Sequence, residues 1–126
     1  MSEVEMTGPE PAGQTGQLSV ETTSADGIRV LTLAGEIDHH TGDTLRQALH
    51  VWDTPRPRVV ADLGQVTFMD SSGINIFITA HRALGEAGGW LRLAAAGESV
   101  MRTISLVGVD TVIDCRETLH QALLTG

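Results

Sequence analysis

A chain of 126 residues holds one domain of ordinary size, and burying about two-thirds of its unfolded surface supplies a core that needs neither disulfide nor metal. Sixteen acidic residues against eight basic ones leave a net charge of -8, the wrong sign for gripping a phosphate backbone, which argues against nucleic acid as a partner. All eight basic residues are arginine, which removes the P-loop lysine, the kinase-type ATP lysine and Schiff-base chemistry.

Residues 1 to about 16 carry Gly8, Pro9, Pro11, Gly13 and Gly16 with few apolar groups, so they are expected to form a disordered tail ahead of a domain over 17–126. This stretch lacks the basic and apolar regions of a secretory signal, and no later run approaches the roughly 18 apolar residues of a membrane span. A cytoplasmic protein with no membrane partner is expected. Leu18 to Thr23 and Ile28 to Ala34 read as two strands joined at Ser24-Ala25-Asp26-Gly27, an antiparallel hairpin with an Asp-Gly turn. Gly35-Glu36-Ile37-Asp38 ends the second strand. His39-His40-Thr41-Gly42-Asp43 then leads into a helix with Leu45, Ala48, Leu49 and Trp52 on one face and Asp38 or Thr41 as its cap.

Pro55 and Pro57 end that helix and open the apolar run Arg58 to Leu63, a strand buried on both faces. Asp70-Ser71-Ser72-Gly73 comes next, and Ile74, Phe77, Ile78, His81 and Leu84 recur at helical spacing beyond it. Asp70 or Ser71 suffices as the cap of this helix, since one side-chain oxygen accepts from the unpaired N–H groups of a first turn. One cap leaves a serine to spare at a helix N-terminus, where the local field is positive and phosphate is well held. Gly85, Gly88 and Gly89 close the helix, and Trp90 to Ala95 alternates as a strand. Glu98 to Val107 is a shorter helix with Val100, Met101, Ile104 and Val107 inward. Thr111-Val112-Ile113 reads as a brief strand, and Asp114-x-x-Glu117 as a capping box before a last helix with Leu119, Ala122 and Leu123 on its apolar side. The order β-β-α-β-α-β-α-β-α predicts an α/β fold: a small mixed sheet, antiparallel hairpin first and parallel strands after, with about four helices mainly on one face.

Catalytic readings fit poorly. Ser72, Asp110 or Asp114, and His120 occur in the order of a hydrolase triad, yet neither serine has the flanking glycines of a nucleophile elbow. His39 and His40 are adjacent and lack a supporting ligand pair, so a solvated helix entrance is expected in place of a metal site. His81 on the apolar side of its helix reads as a hydrogen-bonded boundary histidine. Glu36 and Asp38 read as surface or capping carboxylates. Cys115, alone, has no internal disulfide partner and reads as a small, half-buried packing residue in a reducing compartment. No cofactor is called for.

Two segments stand together in the right element order: Leu33-Ala34-Gly35-Glu36-Ile37-Asp38-His39-His40-Thr41, and Phe68-Met69-Asp70-Ser71-Ser72-Gly73-Ile74. With them the chain, over about residues 17–125, resembles the anti-sigma factor antagonists, bacterial regulators made of a single STAS domain. The resemblance implies a non-enzymatic switch. The unphosphorylated protein binds an anti-sigma factor, usually a serine kinase, and frees the sigma factor. The kinase phosphorylates the second serine of the motif, here Ser72, and a phosphatase reverses it. Asp38, Asp70, Ser71 and Gly73 would surround that site. Asn75, where many relatives carry glycine or another small residue, bears on the choice of partner. Two alternatives stay open: a STAS scaffolding module in a stress-sensing or transporter-associated assembly, and a nucleotide-binding STAS domain. Oligomeric state is not legible.

Overall fold

The computed structural model describes residues 17–50 and 54–124. Strands β1 (Leu18–Ala25) and β2 (Ile28–Ile37) are followed by α1 (Gly42–His50), β3 (Arg58–Met69), α2 (Ser71–Glu86), β4 (Trp90–Ala94) and α3 (Glu98–Leu106). A 3-10 turn (Val109–Thr111), β5 (Asp114–Arg116) and α4 (Leu119–Leu123) complete the chain. The sheet order is β1-β2-β3-β4-β5, with β1 antiparallel to β2 and the remaining pairs parallel. This is the mixed α/β sheet with four helices that the element order predicts. The expected N-terminal tail and Trp52 lie outside the described residues.

The hairpin turn needs two consecutive left-handed residues. Asp26 (φ 52°) and Gly27 (φ 79°) supply them, giving the tight two-residue connection whose twist matches the strands. Gly35 at φ 118° has no other option, because a Cβ there would lie 2.2 Å from the Gln17 carbonyl oxygen. The glycine of Gly-Glu-Ile-Asp is therefore required by the backbone.

β3 is the central strand and runs six residues beyond the Arg58–Leu63 segment read from its apolar run. Val59, Ala61 and Leu63 face the main core, while Val60 points the other way. Past Leu63 the register against β2 shifts twice: Thr32 and Ala34 pair with Asp62 and Gln65, then Gly35 and Glu36 pair with Val66 and Phe68. Each shift inserts one extra residue into β3 and reverses the facing of the residues beyond it. Val66 and then Met69 thus return to the core against the simple alternation, which is why the second half of this strand is hidden from a period-two reading. Asp62 Oδ1 accepts from Gly64 N at 2.9 Å and braces the first bulge.

Three helices cover one face. Leu45 and Leu49 of α1, Phe77 and Leu84 of α2, and Val100 and Ile104 of α3 join the β-strand side chains in one cluster. On the other face α4 lays Ala122, flanked by Leu119 and Leu123, over Ile28, Val60 and Ala94. Helical spacing predicts Ile74, Phe77, Ile78, His81 and Leu84 inward on α2. The buried set is instead Gly73, Ile74, Ile76, Phe77, Ala80 and Leu84, with Ile78 and His81 half-buried. α2 packs against both the sheet and α1, so its apolar arc is wider than one stripe. His81 Nδ1 is buried with no hydrogen-bond partner among the described residues, a departure from the expected bonded histidine.

The C-terminal third departs most from the sequence reading. α3 ends at Leu106, and Val107, expected inward, is 57% exposed because Gly108 (φ 78°) reverses the chain. The strand expected at Thr111-Val112-Ile113 is instead a 3-10 turn, closed by Thr111 N donating to the Gly108 carbonyl at 3.1 Å and Val112 N to that of Val109 at 2.9 Å. Val109 and Ile113, four apart, are buried by this coiling, and the strand starts at Asp114, three residues after the expected start at Thr111. Asp114 does not cap α4. It lies in β5 and accepts from Arg116 Nε at 2.7 Å, and that bond, followed by the charges of Arg116 and Arg92, holds its carboxyl below the usual range despite partial burial. The cap is Thr118, whose Oγ1 accepts from Gln121 N at 3.1 Å, while Gln121 Oε1 accepts from Glu117 N at 3.1 Å. The cap thus lies four residues beyond where Asp-x-x-Glu places it, and the Gln121 side chain reaches back to the residue before the cap rather than to the cap itself.

Candidate functional site

The site forms where β2 and β3 end side by side. Asp70 N donates to the Ile37 carbonyl at 3.1 Å, carrying the strand pairing to the last residue before α2. Asp70 is extended (φ -108°, ψ -170°), and its Oδ1 accepts from Ser72 N at 2.8 Å, so Asp70 rather than Ser71 is the N-cap. Ser71 is exposed on the first turn and Ser72 is half-buried. Gly73 is buried against the ends of both strands: a Cβ there would sit 2.5 Å from Ile37 Cγ2 and 2.8 Å from Met69 Cγ. The glycine lets α2 start directly against β2 and β3, which holds the two serines in place. Asn75 is exposed one turn on.

Asp38 is 7% exposed and Thr41 3%. Asp38 Oδ1 accepts from His40 N at 2.8 Å and Thr41 N at 3.2 Å, and Thr41 Oγ1 accepts from Asp38 N at 2.9 Å. The pair locks the β2–α1 loop, and the carbonyl of Thr41, directly before α1, accepts from Leu45 N at 3.1 Å. Asp38 and Asp70 line one cleft of about 270 Å³ with Glu36 and Phe68, the latter 46% exposed. Ser72 and Asn75 line a second groove of about 310 Å³, whose opposite wall is Asp43, Arg46 and His50 of α1. His39 borders both.

The structure thus brings Asp70, Ser71, Ser72, Gly73 and Asn75 onto one helix entrance, with Asp38 across the neighbouring cleft. Of the residues that line the serine's groove, Arg46 and His50 are not among the candidates read from the sequence. Asp43, Arg46 and His50 recur at helical spacing on the polar face of α1, and that periodicity is the signal that could have found them. Cys115 is half-buried as expected; burial first, then the Asp110 and Asp114 charges, push its thiol up to about 11, leaving it a poor nucleophile at neutral pH. No helix among the described residues is long and apolar enough to cross a membrane.

Fold and site together define a small α/β domain: a mixed-sheet scaffold that presents two serines at one capped helix entrance. The family model described as "STAS domain" matches residues 19–122. The anti-sigma-F factor antagonist RsfB of Mycobacterium tuberculosis is 35% identical over 109 residues, covering 83% of this chain and 88% of that protein. An anti-sigma F factor antagonist of Paenibacillus polymyxa is 28% identical over 108 residues, covering 84% and 92%. The crystal structure of an anti-sigma factor antagonist from Mycobacterium paratuberculosis superposes with a TM-score of 0.79 at 30% identity, covering 89% of this chain and 96% of that one. The chain belongs to the STAS domain family, and these relatives are named as anti-sigma factor antagonists.

Proposed function

We propose that this protein is a cytoplasmic anti-sigma factor antagonist switched by phosphorylation of Ser72. Unmodified, it binds a cognate anti-sigma factor that is a serine kinase, and so frees a sigma factor; it catalyses nothing itself. The kinase directs the Ser72 hydroxyl oxygen onto the γ-phosphorus of ATP, ADP leaves, and the hydroxyl proton passes to a base of the kinase. A phosphatase hydrolyses the ester and resets the switch.

The observation that supports this reading is Ser72 itself, half-buried on the first turn of α2 with its backbone N–H held by Asp70 and its side chain lining an open groove. Phosphate adds about -1.5 to -2 charges and three strong acceptors at that point. The helix terminus tolerates the charge. A partner packed against a neutral hydroxyl does not, since it must desolvate a dianion. A hundredfold loss of affinity requires only about 2.7 kcal/mol, within what one unpaired interfacial charge costs.

Incubation with the cognate kinase and ATP is expected to place a single phosphate on Ser72, read by mass spectrometry; phosphate confined to Ser71 or Thr67 would reject the assignment. Ser72→Ala is expected to bind the anti-sigma factor and resist switching, while Ser72→Asp binds at least about tenfold more weakly, a difference of about 1.4 kcal/mol. Equal affinities measured by calorimetry would show that the residue does not control association.

A further inference from the structure

We propose that the groove between α1 and α2 is a built-in receptor for the Ser72 phosphate: once the serine is esterified, Arg46 exchanges the Asp43 carboxylate for the phosphate, with His39 and His50 beside it. This rests on Ser72 being the modified residue. Three observations carry it. The groove that Ser72 lines has Arg46, His39 and His50 on its walls and a single carboxylate, Asp43, although the chain as a whole carries twice as many acidic as basic residues. In the neighbouring cleft, the carboxylates of Asp38 and Asp70 are engaged by backbone: Asp38 accepts from His40 N and Thr41 N, and Asp70 accepts from Ser72 N. Among the described residues Arg46 forms its ion pair with Asp43, one turn before it on the same helix, and the pair is open to water, with side chains 53% and 88% exposed.

An exposed ion pair of this kind contributes little and is readily exchanged. A phosphate dianion offers more charge and three acceptor oxygens to a planar guanidinium, a stronger partner than one carboxylate. His39 in the β2–α1 loop and His50 in the last turn of α1 bring ring nitrogens to the same groove as further hydrogen-bonding groups. The lining contributed by α2, Asn75, Ile76 and Thr79 beside Ser72, is uncharged. Phosphorylation then changes the charge pattern along α1 as well as at the serine.

The test uses the full chain with phosphoserine installed at position 72 by genetic coding, so that no kinase is involved. Phosphorus NMR is expected to give a second phosphate pKa below the ordinary value of about 6 by about one unit. Arg46→Gln is expected to return most of that shift, and Asp43→Asn, which frees the arginine, to deepen it. In the wild-type sequence the Arg46 Nε–H resonance is expected to move when Ser72 is replaced by phosphoserine, a readout independent of any variant. Identical phosphate titrations with and without Arg46, together with an unmoved Arg46 resonance, would overturn the proposal. A kinase that ignores Ser72 would defeat the proposed function and leave these titrations readable, so the two failures are distinguishable.

Discussion

Asp70 determines how the two serines are presented. Three adjacent side-chain oxygens leave the cap ambiguous in the sequence, because each is chemically able to accept from a first-turn N–H. The extended backbone at Asp70 and its 2.8 Å contact to Ser72 N decide it, and leave both hydroxyls uncommitted to capping. Asp70→Ala is expected to lower stability by about 1 kcal/mol, and Asp70→Asn by much less, since asparagine caps nearly as well. Urea denaturation measures both; equal loss in the two variants would mean that capping is not what Asp70 contributes.

At the level of elements, close approach of α2 to the paired ends of β2 and β3 places the site, and Gly73 permits it. A methyl group at that position meets Ile37 and Met69 within 2.8 Å, so Gly73→Ala is expected to cost about 1–3 kcal/mol through displacement of the first turn. Gly85, in the same helix, has nothing within 4 Å of its would-be Cβ, and Gly85→Ala is expected to stabilise by roughly 0.5–1 kcal/mol. Thermal melts of the two variants should move in opposite directions; a shift of the same sign in both would mean that packing at the β2–β3 end is not what selects glycine. The helix and its cap are legible from local pattern, whereas the length of β3 is not. Its two bulges break the alternation by which a strand is recognised, and only pairing with β2 shows that Val66 and Met69 belong to it.

Across the molecule, the sheet is closed on its second face by α4, a helix of five residues that cannot hold itself together. Arg92 ties it down. Its side chain is 11% exposed, stacks 4.0 Å over the Trp90 ring, donates to the Ala122 carbonyl at 2.9 Å and also reaches that of Leu124. Arg92→Ala is expected to cost about 2 kcal/mol, the range for hydrogen bonds made by a charged donor. Hydrogen exchange should show α4 amides losing protection before those of α2 and β3. Uniform loss across the chain would mean that α4 does not depend on this anchor.

Local chemistry written along the chain was enough for the hairpin turn, the alternation of strands and helices, the Asp-Ser-Ser-Gly entrance and the family resemblance, because each depends on residues a few positions apart. Contacts between distant segments settled the rest. The bulged half of β3 and the wide buried arc of α2 arise from packing partners far off in sequence. The same holds for the groove that joins Ser72 to Arg46: a side chain on α1 and one on α2 share a wall only because both helices lie on the same face of one sheet.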